Sequence, residues 1–166
     1  MISIKLFSNK YLDGVVDVIL PIQQSEFGIP ITLEDQPDLM EIPGFYQVNN
    51  GNFWIALHNG SVVGTIALID IGDNGVALRK MFVKKRYRGA GYNVANKLLQ
   101  IVLDWSEEKS VRTIYLGTTP KFLAAHRFYE KNNFIEIAKK DLPGSFPVMS
   151  VDTKFYKLQT SSREIR

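Results

Sequence analysis

The chain opens on alternation. "ISIKLF", residues 2 to 7, has the period of two that a half-buried strand requires. In "YLDGVVDVILPIQQSEF" the period changes: Leu12, Val15, Val16, Ile19 and Leu20 recur at three- and four-residue steps, which predicts an amphipathic helix that Pro21 ends or kinks. "GIPITLEDQPDLMEIPGFYQVNNG" has neither period and is rich in Pro, Gly and Asn, so only "LEDQPDLMEI" is expected to hold a short helix. Long irregular segments inside compact domains are often functional. "FWIALHNGSVVGTIALIDI" is two apolar runs meeting at Asn59-Gly60, the favoured pair for a type I′ hairpin turn, and "GVALRKMFV" predicts a further strand.

In "AGYNVANKLLQIVLDWSEEKS" the positions Val94, Leu98, Ile101, Val102 and Trp105 form one stripe, a helix of about five turns. "VRTIYLGTT" reads as a short strand. "PKFLAAHRFYEKNNF" predicts a helix that starts at Pro120 and ends at Asn132-Asn133, where Asn tolerates the left-handed cap. "FIEIAKKDL" and "PVMSVDTKFYKL" are expected to be closing strands. The order is β, α, short α, three strands, α, β, α and two strands, a mixed α/β domain. No repeat or linker divides the 166 residues, so one domain over residues 1–160 and a polar tail over 161–166 are expected.

Composition narrows the chemistry. Cysteine is absent and there are two histidines, His58 and His126, so neither a disulfide framework nor a metal-ligand cluster is expected. No apolar run approaches the ~20 residues of a spanning helix, and the N-terminus lacks the order of a signal peptide; a cytoplasmic protein with no membrane partner is the expectation. Net charge is +3, but it is unevenly distributed: nine carboxylates and no Lys or Arg lie between Tyr11 and Leu78. Either folding interleaves the two parts or the protein carries two binding surfaces of opposite sign. A pI near 9.0 would suit nucleic acid, yet the acidic half opposes phosphate and no nucleic-acid-binding motif is present.

The stretch "MFVKKRYRGAGYNVANKLL" concentrates the candidate chemistry. Six cations fall between Arg79 and Arg88, and Gly89 and Gly91 sit where a helix begins. Glycines permit close approach of the backbone, and the free amides of a helix start favour an anion, so the loop suits a pyrophosphate. A Walker loop would need Gly-Lys-Ser/Thr, whereas Tyr92-Asn93 follow Gly91; a dinucleotide fingerprint would need Gly or Ala at Val94.

This stretch resembles the acetyl-coenzyme A segment of the GNAT superfamily of N-acetyltransferases, a strand followed by an Arg/Gln-x-x-Gly-x-Gly/Ala loop opening a long helix. Arg88, Gly89, Ala90, Gly91, Tyr92 and Asn93 occupy the loop, with Asn93 in place of the usual Gly or Ala. "AAHRFYEKNNF" is similar to the family's Ala-x-x-x-Tyr-Glu-Lys-x-Gly-Phe segment, with Ala125, Tyr129 and Phe134 in register, Asn133 for the glycine and Phe122 where many members have Asn. The resemblance implies a single-domain acyl-CoA N-acyltransferase fold, α/β (α+β), with a mixed, mostly antiparallel sheet of about seven strands and flanking helices.

It also implies a function: transfer of the acetyl group of acetyl-CoA to a primary amine by direct attack in a ternary complex, without a metal. Met81, Phe82 and Val83 would hold the pantetheine arm by their backbone, and an amide near Met81 or Phe82 would stabilise the oxyanion. Tyr129 would protonate the departing thiolate. The general base stays open among Glu26, Glu34, Asp35 and a water chain. Residues 25–51 correspond to the family's acceptor region, where acids with Phe45, Tyr46 and Phe53 suit an ammonium group, so Glu26, Glu34, Asp35 and Tyr46 are expected to contact the acceptor. A small-molecule amine is the first expectation and a peptide or protein amine the second, and a homodimer is allowed. The competing expectation is a catalytically degenerate GNAT-fold, CoA-binding sensor or scaffold. His126 is expected to be an exposed helix residue, and Trp54 and Trp105 core.

Overall fold

The computed structural model describes residues 1–160; the tail expected over 161–166 lies outside the described residues. Seven strands form one sheet: β1 (Ile2–Leu6), β2 (Asn52–His58), β3 (Ser61–Gly72), β4 (Gly75–Val83), β5 (Thr113–Thr118), β6 (Ile135–Ile137) and β7 (Lys154–Gln159). Their order is β1-β2-β3-β4-β5-β7-β6. Neighbours are antiparallel except β4 and β5. The mixed, mostly antiparallel sheet expected from the sequence is therefore present.

Two tight turns set the register of the central strands. Asn59 and Gly60 take φ of 52° and 82°, as the type I′ turn requires, and Asp73-Asn74 repeats the device at 52° and 59° between β3 and β4. Strand β2 is buried on both faces, because its side chains alternate between two cores. Phe53, Ile55 and Leu57 pack with α1 (Leu12–Pro21) and the irregular segment, whereas Trp54 and Ala56 face α3 (Val94–Glu108). Helices thus cover both faces of the sheet.

The observed helices differ from expectation at their ends and faces. In α1 the buried side is Val15, Val18 and Ile19, while Leu12, Val16 and Leu20 are half-exposed, a rotation of the predicted stripe. Pro21 ends the regular helix, but the chain continues as a π-helical turn over Ile22–Glu26 that buries Ile22 and Gln23. The short helix in the irregular segment is a 3-10 turn at Pro37–Met40 followed by α2 (Ile42–Phe45). Helix α3 is shorter than expected because it starts only at Val94, and α4 (Leu123–Lys131) starts after Phe122 rather than at Pro120. Asn133 has φ 74°, the left-handed cap expected there. Trp54 is core, but Trp105 is half-buried against it, its Nε1 donating to the Asn50 carbonyl at 2.9 Å. Among the described residues no helix is long and apolar enough to cross a membrane.

Candidate active site

The parallel pair β4/β5 holds together over three positions, Gly75↔Thr113, Val76↔Ile114 and Ala77↔Tyr115, and then separates. Just beyond that point the other edge of β4 is irregular. Phe82 pairs with Thr65 and Arg79 with Ala67, so Lys80 and Met81 together oppose Ile66, a β-bulge, which bends the strand. Lys80 accommodates it at φ 54°, a conformation that a lysine seldom adopts, and the Thr65 hydroxyl donates to the Lys80 carbonyl at 2.6 Å. The gap between the strands is part of a cavity of about 810 Å³ lined by β4 from Leu78 to Val83, by Gly117 to Thr119, and by the start of α4.

One end of the cavity reaches the loop before α3. Gly89 has φ 95°, open only to glycine at low cost, and Asn93 caps the helix from the left-handed region at φ 57°. The first bond of the new helix runs from the Lys97 amide to the Asn93 carbonyl, which leaves the amides of Val94, Ala95 and Asn96 without an intrahelical acceptor. Arg88, Gly89, Ala90 and Asn93 line the cavity; Gly91 and Tyr92 do not, and Tyr92 packs instead on His58 and Tyr87. The Arg88 guanidinium is already engaged. Its Nε donates to the Val83 carbonyl at 2.8 Å, and its two terminal nitrogens donate to Glu26 at 2.5 and 2.7 Å, a bidentate pair that holds the Glu26 carboxyl below its ordinary pKa.

Tyr129 stands on the α4 wall. It is buried, 6% exposed, between Phe134 and Tyr156, and it lines the cavity. Among the described residues its hydroxyl has no hydrogen-bond partner. Burial raises its pKa above the ordinary tyrosine value, so the phenol keeps its proton. His126 is also buried, contrary to expectation, and its Nε2 lies 2.9 Å from the Thr119 carbonyl, away from the cavity. Phe122, Phe27 and Phe82 form an aromatic wall, with Phe122 edge-on to both others.

The segment between β6 and β7 closes the other end, and sequence reasoning gave it no role. Asp152 lines the cavity with its Oδ2 accepting the Met149 amide at 3.0 Å. Its carboxylate sits over Gly117, where an added Cβ would come within 2.7 Å of Oδ2, and burial raises its pKa. Arg79 lines the same cavity, and its Nη2 lies 3.3 Å from the Met149 sulfur. Arg127 and Lys131 of α4 add cations to the wall.

A sequence profile of the Acetyltransferase (GNAT) family matches residues 17–134. The chain belongs to the GNAT acetyltransferase family. Among solved structures, an acetyltransferase of the GNAT family from Staphylococcus aureus superposes with a TM-score of 0.92 at 42% identity, covering 96% of this chain and 99% of that one. The N-acetylaspartate synthetase of Danio rerio is 34% identical over 112 residues, 64% of this chain. The chain spans 39% of that relative's length. The PaiA N-acetyltransferase of Thermoplasma acidophilum, solved in complex with coenzyme A, shares the fold with a TM-score of 0.70 at 17% identity, covering 96% of this chain and 99% of that one.

Several residues expected around the acceptor of this GNAT protein lie elsewhere. Tyr46 and Phe53 are fully buried in the α1-side core, and the Tyr46 hydroxyl donates to Asp38 at 2.5 Å, so neither ring has a face to offer an ammonium. Glu34 is exposed off the cavity. Asp35 is exposed too, and its Oδ2 accepts the Thr32 amide at 3.0 Å in a local turn. Glu26 is held by Arg88, not aimed at the cavity. Met81, Phe82 and Val83, which the resemblance puts against the pantetheine arm, line the gap.

Proposed function

We propose that the protein transfers the acetyl group of acetyl-CoA to the primary amine of a small molecule by direct attack in a ternary complex. The observation that carries this reading is the Tyr129 hydroxyl, protonated and without a partner, on the wall of a gap between splayed parallel strands. The gap suits the pantetheine arm, which would bond to the free edge of β4 as an added strand does. Gly89, Ala90, Asn93 and the first-turn amides of α3 suit the pyrophosphate. Arg127 and Lys131, which have no carboxylate within 4 Å among the described residues, suit the remaining phosphate. The solved relative with coenzyme A bound supports this cofactor, and the name of the zebrafish relative, which speaks of an acylated amino acid, favours a small-molecule acceptor over a peptide.

The chemistry balances with two protein groups. An acceptor that arrives as an ammonium first loses one proton to solvent; the neutral amine then forms a bond to the thioester carbon while a backbone amide at Met81 or Phe82 stabilises the oxyanion. Collapse breaks the C–S bond; the nitrogen's surplus proton passes to Asp152, the carboxylate on the cavity wall, and Tyr129 gives its proton to the thiolate. Solvent then restores both groups. Tyr129→Phe keeps the ring and removes the donor, so turnover should fall about 10- to 1000-fold with coenzyme affinity and melting temperature nearly unchanged. Calorimetry should find acetyl-CoA binding that weakens with salt. A protein that binds the coenzyme but, parent and variant alike, releases no thiol with any amine is the sensor or scaffold instead.

A further inference from the structure

The end of the cavity closed by the segment between β6 and β7 has two charges of opposite sign that form no ion pair. Arg79 and Asp152 both reach Met149, the guanidinium its sulfur at 3.3 Å and the carboxylate its amide at 3.0 Å. Yet no Arg79 nitrogen lies within 4 Å of a carboxylate oxygen among the described residues. What Arg79 touches is a thioether, a weak acceptor for a group with five donors. Of the other cations on β4 and the loop that follows it, three are paired: Lys80 with Asp38 at 3.5 Å, Arg88 with Glu26 at 2.5 Å, and Lys84 with Asp17 at 3.2 Å. Arg79 and Asp152 stand apart from these pairs, and both line the cavity.

Their placement in the sheet fits the reaction. Continuing the parallel register beyond Ala77 and Tyr115 sets Arg79 level with Gly117, the residue over which Asp152 sits. Both charges are therefore where the strands begin to part, just before the bulge. A plain cationic amine at Asp152 would be repelled by Arg79. A molecule with its own carboxylate would satisfy both, its carboxylate in the guanidinium fork and its ammonium on Asp152.

Resting on the acetyl-transfer reading, we infer that the acceptor is an amino acid or a related amino carboxylate, with Arg79 pairing with its carboxylate and Asp152 receiving its ammonium. The specificity determinant is Arg79. Lys80 is excluded from this part because its Nζ already donates to Gln36 at 2.5 Å and faces Asp38.

The test compares amino acids with their carboxamides and with the same amines lacking a carboxyl group, following thiol release from acetyl-CoA and, separately, calorimetric binding to the coenzyme A-loaded protein. At least one acid should exceed its carboxamide by about 30- to 1000-fold in kcat/KM, the usual loss when one partner of a desolvated charge pair is removed. Arg79→Gln should raise KM for that acid by a similar factor, bring acid and amide within about threefold, and leave KM for acetyl-CoA within about threefold. Arg79→Lys, which keeps charge but not the fork, should fall between. Amides or plain amines serving as well as acids, or discrimination that survives in Arg79→Gln, would overturn the inference. So would a panel in which no acid binds or reacts while acetyl-CoA binds normally, and that result leaves the coenzyme assignment standing. Failure of acetyl-CoA itself to bind is a separate result, and it strikes the underlying reading.

Discussion

Asn93 shows how one conformational demand can be met by two residue types. The family pattern has Gly or Ala at this position, and the φ of 57° explains why Asn serves: after glycine, it enters the left-handed region most readily. The same reasoning separates the two glycines of the loop. Both have open space where a Cβ would go, but Gly89 has φ 95° and lines the cavity, whereas Gly91 has no such φ and no place on the wall. Gly89→Val should therefore weaken acetyl-CoA binding at least about tenfold, and Gly91→Val should leave it within about threefold, as read by calorimetry. Asp152 gives a second residue-scale expectation. Its pKa is raised by burial, so folding disfavours its ionised form, and that penalty is absent in acid and complete once pH exceeds the folded value. Asp152→Asn should accordingly melt higher than the parent at neutral pH, with the difference shrinking as pH falls towards the ordinary carboxylate range, while acetyl transfer is lost. A variant that melts lower at neutral pH would show that the Met149 amide bond outweighs burial.

At the scale of elements, most of the fold was legible because the signals were local. Asn59-Gly60 announces its hairpin, and the stripe through Val94, Leu98 and Val102 announces α3, whose buried apolar side chains contribute roughly 1.5–3 kcal/mol each. The bulge in β4 was not legible. "VALRKMFV" reads as an unbroken strand, and nothing about lysine hints at a positive φ; the extra residue is defined only by pairing with β3. Arg79 and Asp152 were missed for the same reason, since Arg79 meets Met149 across 70 positions of sequence. The bulge depends on Thr65, fully buried, whose hydroxyl satisfies the Lys80 carbonyl. Thr65→Val matches the shape but strands that carbonyl, at about 1–3 kcal/mol. If the bulge is what opens β4 from β5, urea unfolding should record that loss and calorimetry should find acetyl-CoA affinity reduced with it. Affinity unchanged in a destabilised variant would mean that the strands part without the bulge.

Over the whole molecule, the acidic stretch from Tyr11 to Leu78 and the cationic remainder do not form two separate surfaces throughout. They meet in the pairs Asp17–Lys84, Glu26–Arg88 and Asp38–Lys80, which join the segment around α1 and α2 to β4 and the loop beyond it. The last is buried and extends into a network: Tyr46 donates to Asp38, Lys80 to Gln36, and Gln36 exchanges bonds with Gln23 at 2.9 and 3.2 Å. Removing one member of a buried pair is costly because the other is left charged and alone, so Lys80→Met should destabilise by about 3–5 kcal/mol. Asp38→Asn in the same chain should restore part of the loss, giving a coupling above about 1 kcal/mol in a double-mutant cycle. The pH dependence has a definite sign. Burial lowers the Lys80 pKa to about 8 from 10.5, so above pH 8 the unfolded chain holds more protons than the folded one. Parent stability relative to Lys80→Met should therefore rise from pH 8 to about pH 9.5, below the ordinary tyrosine range. Denaturation midpoints with a flat difference over that window, or a single variant within about 1 kcal/mol of the parent, would show that the irregular segment is held to the sheet by its apolar contacts alone.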